Sequence, residues 1–140
     1  MINSMEKELK LEARIDNLDQ VLAFIDTELE AIDCPMKVQM QLDVAVEELY
    51  VNIAHYAYEP ETGEATIIIE ITEDPLNVKI TFKDSGKPFD PTAKADPDVT
   101  LSAAERQIGG LGIYMAKKGV DEMKYEYTNG QNILYISKKL

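Results

Sequence analysis

An α/β two-layer sandwich, an α+β arrangement in which helices cover one face of a mixed, largely antiparallel sheet, is the fold class this sequence predicts. Three observations lead there. Segments of period-2 apolar alternation bracket segments of helical periodicity, in the order strand, two helices, two strands, long loop, helix, two strands. Short turn-forming stretches join the strands of the two later pairs, so each pair is a hairpin. The chain has 140 residues, enough for one domain, 1–140, to bury a core without metal or disulfide support.

Each element follows from its residues. Leu9, Leu11, Ala13 and Ile15 alternate with charged residues, the pattern of a half-buried strand. Asn17 and Gln20 have capping-box spacing and open a helix whose apolar stripe is Leu18, Val21, Leu22, Ile25, Leu29 and Ile32. Pro35 starts a second helix that continues to about Tyr58, and Pro60 to Gly63 breaks the chain. Ala65 to Thr72 and Asn77 to Lys83 are strands joined by Glu73-Asp74-Pro75-Leu76. From Lys87 to Ile108 the chain holds Pro88, Pro91 and Pro97 among small and polar residues, with one short helical piece near Ala103 to Arg106. A loop that long inside a compact domain implies a task, such as covering a ligand. Gly109-Gly110-Leu111-Gly112 leads into a helix through about Asp121. Lys124 to Thr128 and Asn132 to Ser137 close the sheet around Asn129-Gly130, a pair that tolerates the positive φ of a tight hairpin turn.

Composition narrows the function classes. With 26 acidic against 14 basic residues the formal charge is −12, and a field of that sign repels nucleic acid and anionic membrane surfaces. It repels a free nucleotide too. A phosphate ligand therefore needs a local device: a divalent cation, backbone N–H groups or a placed basic side chain. The single Cys34 cannot form an internal disulfide and reads as a structural thiol. No stretch resembles a signal sequence or reaches the ~20 apolar residues of a membrane span, so the expected location is cytoplasmic.

Three short stretches carry the chemistry. Glu48 and Asn52 lie one turn apart on a helix, on a polar stripe beside the core stripe Leu42, Val46, Leu49 and Ile53. Glu47 points well away from Asn52 and is the weaker candidate. Taken alone, the pair also suits an ordinary solvated helix face. Asp84-Ser85-Gly86 follows the apolar strand Val78, Ile80, Phe82, which delivers a carboxylate to the strand's end. That carboxylate can accept a hydrogen bond from an exocyclic amine, with Gly86 letting the backbone pass close to a flat ring, though Asp-Ser-Gly is also common turn chemistry. Gly109-Gly110-Leu111-Gly112 offers bare backbone N–H groups at the positive end of a helix, a phosphate cradle or else a hinge. It is neither a Walker loop nor a Rossmann fingerprint, because no Gly-Lys-Ser/Thr follows and no strand precedes.

Glu-x-x-x-Asn on a helix, Asp-x-Gly after a strand, a long lid and a Gly-rich helix start, in that order, resemble the GHKL ATPase superfamily and its Bergerat fold, over nearly the whole chain from Leu9 to Leu140. Within it, Asp84-Ser85-Gly86-Lys87-Pro88-Phe89-Asp90-Pro91, Gly109-Gly110-Leu111-Gly112-Ile113, Val120-Asp121-Glu122-Met123 and Asn132-Ile133-Leu134 look most like the anti-sigma-factor serine/threonine protein kinases. The resemblance implies ATP and Mg²⁺ as ligands. It makes Asn52 the Mg²⁺ ligand, Glu48 the general base toward an incoming hydroxyl, and Asp84 the acceptor for the adenine amine with Gly86 beside the ring. Gly110 and Gly112 become phosphate contacts, and residues 87–108 a lid. Tyr56 holds the slot four residues after Asn52 where this group usually has His, with His55 preceding it, and neither is given a role. Arg106 is a candidate for steadying the terminal phosphate at a spacing that departs from the pattern.

The function so implied is an ATP-binding anti-sigma factor that phosphorylates an anti-anti-sigma partner carrying a STAS domain. Its partners are that protein and a sigma factor, with a homodimer left open. The alternative is a non-catalytic, nucleotide-gated module that binds a partner, and retention of Glu48 beside Asn52 favours catalysis because a pure binder has no use for the base.

Overall fold

The computed structural model describes residues 4–58, 61–73, 75–93 and 110–140. Five strands form one sheet in the order β1-β2-β3-β5-β4, and every pairing is antiparallel. In chain order the elements are β1 (Ser4–Glu12), α1 (Leu18–Ala31), α2 (Met36–Tyr56), β2 (Glu64–Thr72), β3 (Asn77–Asp84), α3 (Gly110–Lys118), β4 (Glu122–Thr128) and β5 (Gln131–Lys139). The expected two-layer α/β architecture is present, and its sheet is wholly antiparallel where a mixed one was anticipated.

Alternation decides the faces. In β2, Ala65, Ile67, Ile69 and Ile71 are buried while the residues between them are half-buried, and Val78, Ile80 and Phe82 of β3 continue the same inner face. Leu134 and Ile136 of β5 complete it. The helices supply the opposing layer: Val21, Ile25 and Leu29 from α1, Leu42, Val46, Leu49 and Tyr50 from α2, and Ile113 and Ala116 from α3. Tyr50 is the largest fully buried side chain, and its hydroxyl accepts from Arg14 N–H at 3.1 Å and lies 2.8 Å from Arg14 O. That contact ties α2 to the link between β1 and α1.

Differences from expectation have local causes. β1 begins at Ser4 and ends at Glu12, earlier than the apolar alternation suggested. Its first half pairs with β2 from Ser4↔Thr72 onward, and the exposed Lys7 bonds buried Glu28 of α1 at 2.9 Å. Ile15 falls in a 3-10 turn and is 43% exposed. The capping box does not form, because the Asn17 amide donates instead to Glu12 O at 2.9 Å. α1 stops in a Schellman arrangement: Cys34 N–H donates to Leu29 O at 3.0 Å and Asp33 N–H to Glu30 O at 3.1 Å, with Asp33 at φ 54 in the slot glycine usually fills. The β4–β5 hairpin turns on Asn129 and Gly130 at φ 52 and 76, as their conformational preferences predicted. Residues 94–109, with Arg106, Gly109 and most of the expected lid, lie outside the described residues. Of that lid the described part, Lys87 to Ala93, ends in a 3-10 turn, Pro91–Ala93.

Candidate functional site

α2 presents Glu48 and Asn52 one turn, about 6 Å, apart along the edge of its buried stripe. Both are half-buried, and neither makes a hydrogen bond or ion pair with the described residues. Two polar groups thus stand at the core's margin with side-chain oxygens open to solvent and available to a ligand.

Asn52 lines a pocket of about 40 Å³ at the end of α2. Asp84 lines the same pocket. Phe82, Leu134, Ile53 and Phe89 give it apolar walls suited to a flat ring, and Lys87 and Tyr56 stand at its lining as well. Glu48 lies outside this lining, one turn back along α2, where the first turn of α3 meets it. A Cβ on Gly112 would come within 2.6 Å of Glu48 Cδ and inside the contact distance of its Oε2. Only a glycine lets α3 lie against that carboxylate. Gly110 is the first residue of α3, so the bare N-terminal turn of the helix and the acid of α2 adjoin.

Asp84 is 5% exposed and ends β3, where the register sets it opposite Asn132 of β5. Gly86 N–H and Asn132 Nδ2 both donate to its Oδ1 at 2.9 Å. Among the described residues its other oxygen, Oδ2, has no donor. Burial pushes the Asp84 carboxyl upward from the ordinary carboxylate range, and those two donors oppose the shift. Gly86 sits where a Cβ would lie 2.7 Å from Ala57 Cβ and overlap the Ala57 carbonyl, and the neighbouring Lys87 N–H donates to that carbonyl at 2.8 Å. The Asp84 turn is therefore packed directly on the end of α2. Tyr58 fastens it from the other side, its hydroxyl accepting from Ser85 N–H at 2.8 Å and donating to Glu64 O at 2.6 Å.

Burial is also the first cause of an upward shift at Glu48, with the negative charge of Glu47 adding to it. Such a carboxylate is more basic than a solvated one, which suits it to taking a proton. His55 is exposed at the last turn of α2, its ring edge-on to Tyr56 at 5.9 Å, and among the described residues it has no companions for a metal site.

The residue that motif reading passed over is Asn132. It is 6% exposed, bonded to Asp84, and accepts from Phe89 N–H at 3.1 Å and from the Tyr125 hydroxyl. Its signal was present: in the alternation Asn132, Leu134, Ile136, an amide occupies an inward position where the pattern calls for an apolar side chain.

Residues 11–138 match the family model described as the histidine kinase-like ATPase domain. The chain belongs to that family. Members similar to this ATPase-family chain include the serine-protein kinase RsbW of Listeria monocytogenes serovar 1/2a, 32% identical over 106 residues that make up 70% of this chain and 66% of the relative. The serine-protein kinase RsbW of Bacillus mycoides is 25% identical over 138 residues, 93% of this chain and 85% of that one. The crystal structure of the RsbU and RsbW domains of a Mycobacterium tuberculosis protein superposes with a TM-score of 0.70 at 16% identity, over 97% of this chain and 32% of that one. That likeness shows a shared fold. Among the described residues no helix is long and apolar enough to cross a membrane.

Proposed function

We propose that this chain is an ATP-dependent protein serine/threonine kinase and anti-sigma factor, acting in the cytoplasm on an anti-anti-sigma partner with a STAS domain. The observation that carries the reading is one pocket lined by both Asn52 and Asp84, with an uncommitted Glu48 one turn from Asn52 against the glycine start of α3. The kinase names of the similar proteins agree with it.

The residues fit Mg-ATP. Asp84 Oδ2 accepts the adenine amine, and Gly86, packed on Ala57, holds the Asp84 turn in place beside the ring. Asn52 Oδ1 is a neutral oxygen ligand for Mg²⁺, which adds no charge to a chain at −12. The ion, when bound, offsets the charge of the terminal phosphates. The N–H groups of Gly110 and Gly112, at the positive end of α3, face the same anion. Glu48 then takes the proton of the incoming serine or threonine hydroxyl as its oxygen bonds to the terminal phosphorus and ADP departs. Phosphoryl transfer asks mainly for positioning and charge neutralisation, so this sparse set suffices.

Glu48→Gln keeps shape and loses basicity. It is expected to lower transfer to a STAS-domain protein by about 100-fold or more while leaving Mg-ATP affinity within about threefold. Asn52→Ala should instead weaken Mg-ATP binding itself. Calorimetric titration with Mg-ATP and a radiolabel transfer assay read the two effects. Full transfer by the Glu48→Gln variant removes the base assignment, and binding without transfer to any partner hydroxyl leaves the nucleotide-gated module as the function.

A further inference from the structure

The orientation of the Asn132 amide is fixed by partners whose polarity cannot reverse. Its Oδ1 accepts from the backbone N–H of Phe89 at 3.1 Å, and its Nδ2 donates to the backbone carbonyl of Lys87 at 2.8 Å. A backbone N–H only donates and a backbone carbonyl only accepts. Turning the amide over would set donor against donor at Phe89 and acceptor against acceptor at Lys87. Nδ2 must therefore face Asp84, to which it donates at 2.9 Å, and Asp84 Oδ1 must accept. Gly86 N–H repeats that demand on the same oxygen at 2.9 Å.

We propose that Asn132 is a positioning residue that sets purine selectivity: by donating to Oδ1 it favours the ionised Asp84, whose free Oδ2 then only accepts, so the pocket takes a 6-amino purine nucleotide in preference to a 6-oxo one. The inference rests on the reading that Asp84 meets the purine amine.

The chemistry follows from which proton is available. A 6-amino group offers a hydrogen to Asp84 Oδ2, whereas a 6-oxo group in the same place sets lone pairs against that oxygen unless Asp84 is protonated or the ring shifts to present its N1–H. Burial drives Asp84 toward that protonated form, and the donors from Asn132 and Gly86 hold it back. Removing the Asn132 donor weakens the restraint. Replacing it by a second carboxyl goes further, because two adjacent acids share a proton and one of them becomes a donor. The other groups around Asp84 do not supply that proton near neutral pH. The Tyr58 hydroxyl at the end of α2 and the Tyr125 hydroxyl of β4 are both pushed above the usual phenol range by burial. The other charged groups near it among the described residues are Lys87 and Asp90 of the following loop, Lys10 of β1, Glu64 of β2 and Lys83 of β3.

The test compares Mg-ATP with Mg-ITP, its 6-oxo counterpart, by calorimetric titration of the full chain between about pH 6 and 8, since two adjacent carboxyls titrate as a pair across such a window. The wild-type chain prefers ATP. In Asn132→Asp the preference falls by about tenfold or more, the size of one unmade buried hydrogen bond, and falls further as pH drops. Asn132→Ala loses the donor without adding an acid, so its preference falls less and again more at low pH. A purely structural role would weaken both nucleotides alike and leave their ratio unchanged. A wild-type preference that persists undiminished in the variants overturns the inference alone, with Asn132→Ala deciding if Asn132→Asp does not fold. Equal binding of the two nucleotides by the wild-type chain overturns the Asp84 reading together with it.

Discussion

At position 112 a methyl group would meet the tip of the flexible Glu48 side chain, whereas at position 86 it would meet the backbone carbonyl of Ala57. A side chain can swing aside and a packed carbonyl cannot, so the same substitution has opposite consequences at the two sites. Gly112→Ala is expected to leave stability within about 0.5 kcal/mol and to depress phosphoryl transfer by displacing the base. Gly86→Ala should cost about 1–3 kcal/mol in denaturant unfolding and weaken ATP binding, because the Asp84 turn must lift off α2. In its proposed role as base, Glu48 sets the pH profile as well. The base works deprotonated and its carboxyl is held above the ordinary range, so the acid limb of the transfer rate lies at higher pH than a solvated glutamate would give. Glu47→Gln removes one of the two causes and should move that limb to lower pH, leaving the burial contribution. Glu48 and Asn52 could be read as a pair because helical period alone fixes their spacing. Asp84 could be read because its strand delivers it to an end. Asn132 was hidden, because its meaning depends on facing β3, a neighbour 48 residues away in sequence, and alternation cannot report which strand lies alongside.

Helices α1 and α2 pack through a polar seam as well as an apolar one. Asp43 of α2 has an oxygen buried without a hydrogen-bond partner among the described residues, and its carboxyl is pushed up to about 7. Burial is the largest cause, followed by a hydrogen bond with Asp26 and the charges of Asp26, Glu30 and Glu47. Gln39 Nε2 donates to Asp26 at 3.1 Å from the first turns of α2, and half-buried Cys34 lies close enough to be raised by burial and then by Asp43. The sign follows from linkage: with the folded-state value above the unfolded one, the contribution of Asp43 is fully present below the ordinary aspartate range and is lost as pH rises toward about 7. Asp43→Asn keeps a donor for Asp26 without the charge. It should raise the denaturant midpoint at about pH 8 and leave it nearly unchanged at about pH 4, since only the ionised acid is penalised. A variant no more stable than wild type at the higher pH would refute the raised Asp43 carboxyl. This seam also marks where element-level reading fell short. Apolar stripes placed α1 and α2 to within a few residues, but the capping box and the start of β1 depended on Glu12 O, Tyr50 and Glu28, which are tertiary partners.

Across the whole molecule a charge of −12 acts on any triphosphate before local contacts form. Free ATP is itself strongly anionic, and Mg²⁺ removes two of its charges, so the long-range repulsion is much smaller for the complex than for the bare nucleotide. Added salt screens this field over a Debye length of roughly 10 Å at 0.1 M. For most phosphate-binding proteins, which are basic around their sites, salt slows association. Here the sign should invert: with Mg²⁺ chelated, the association rate of free ATP should rise as NaCl increases from about 20 to 200 mM, and with Mg²⁺ present the dependence should flatten. Dissociation, which the proposed site assigns to Asp84, the apolar walls and the glycine start of α3, should change little with salt in either case. Thermal stabilisation gives the equilibrium counterpart, about 2.7 kcal/mol when Mg-ATP stands at 100 times its dissociation constant and less for equal total ATP without the ion. Stopped-flow binding across the salt series decides the matter. A steep fall of the ATP association rate with salt would mean that a local basic surface, and not the metal with the backbone N–H groups, overcomes the acidic field.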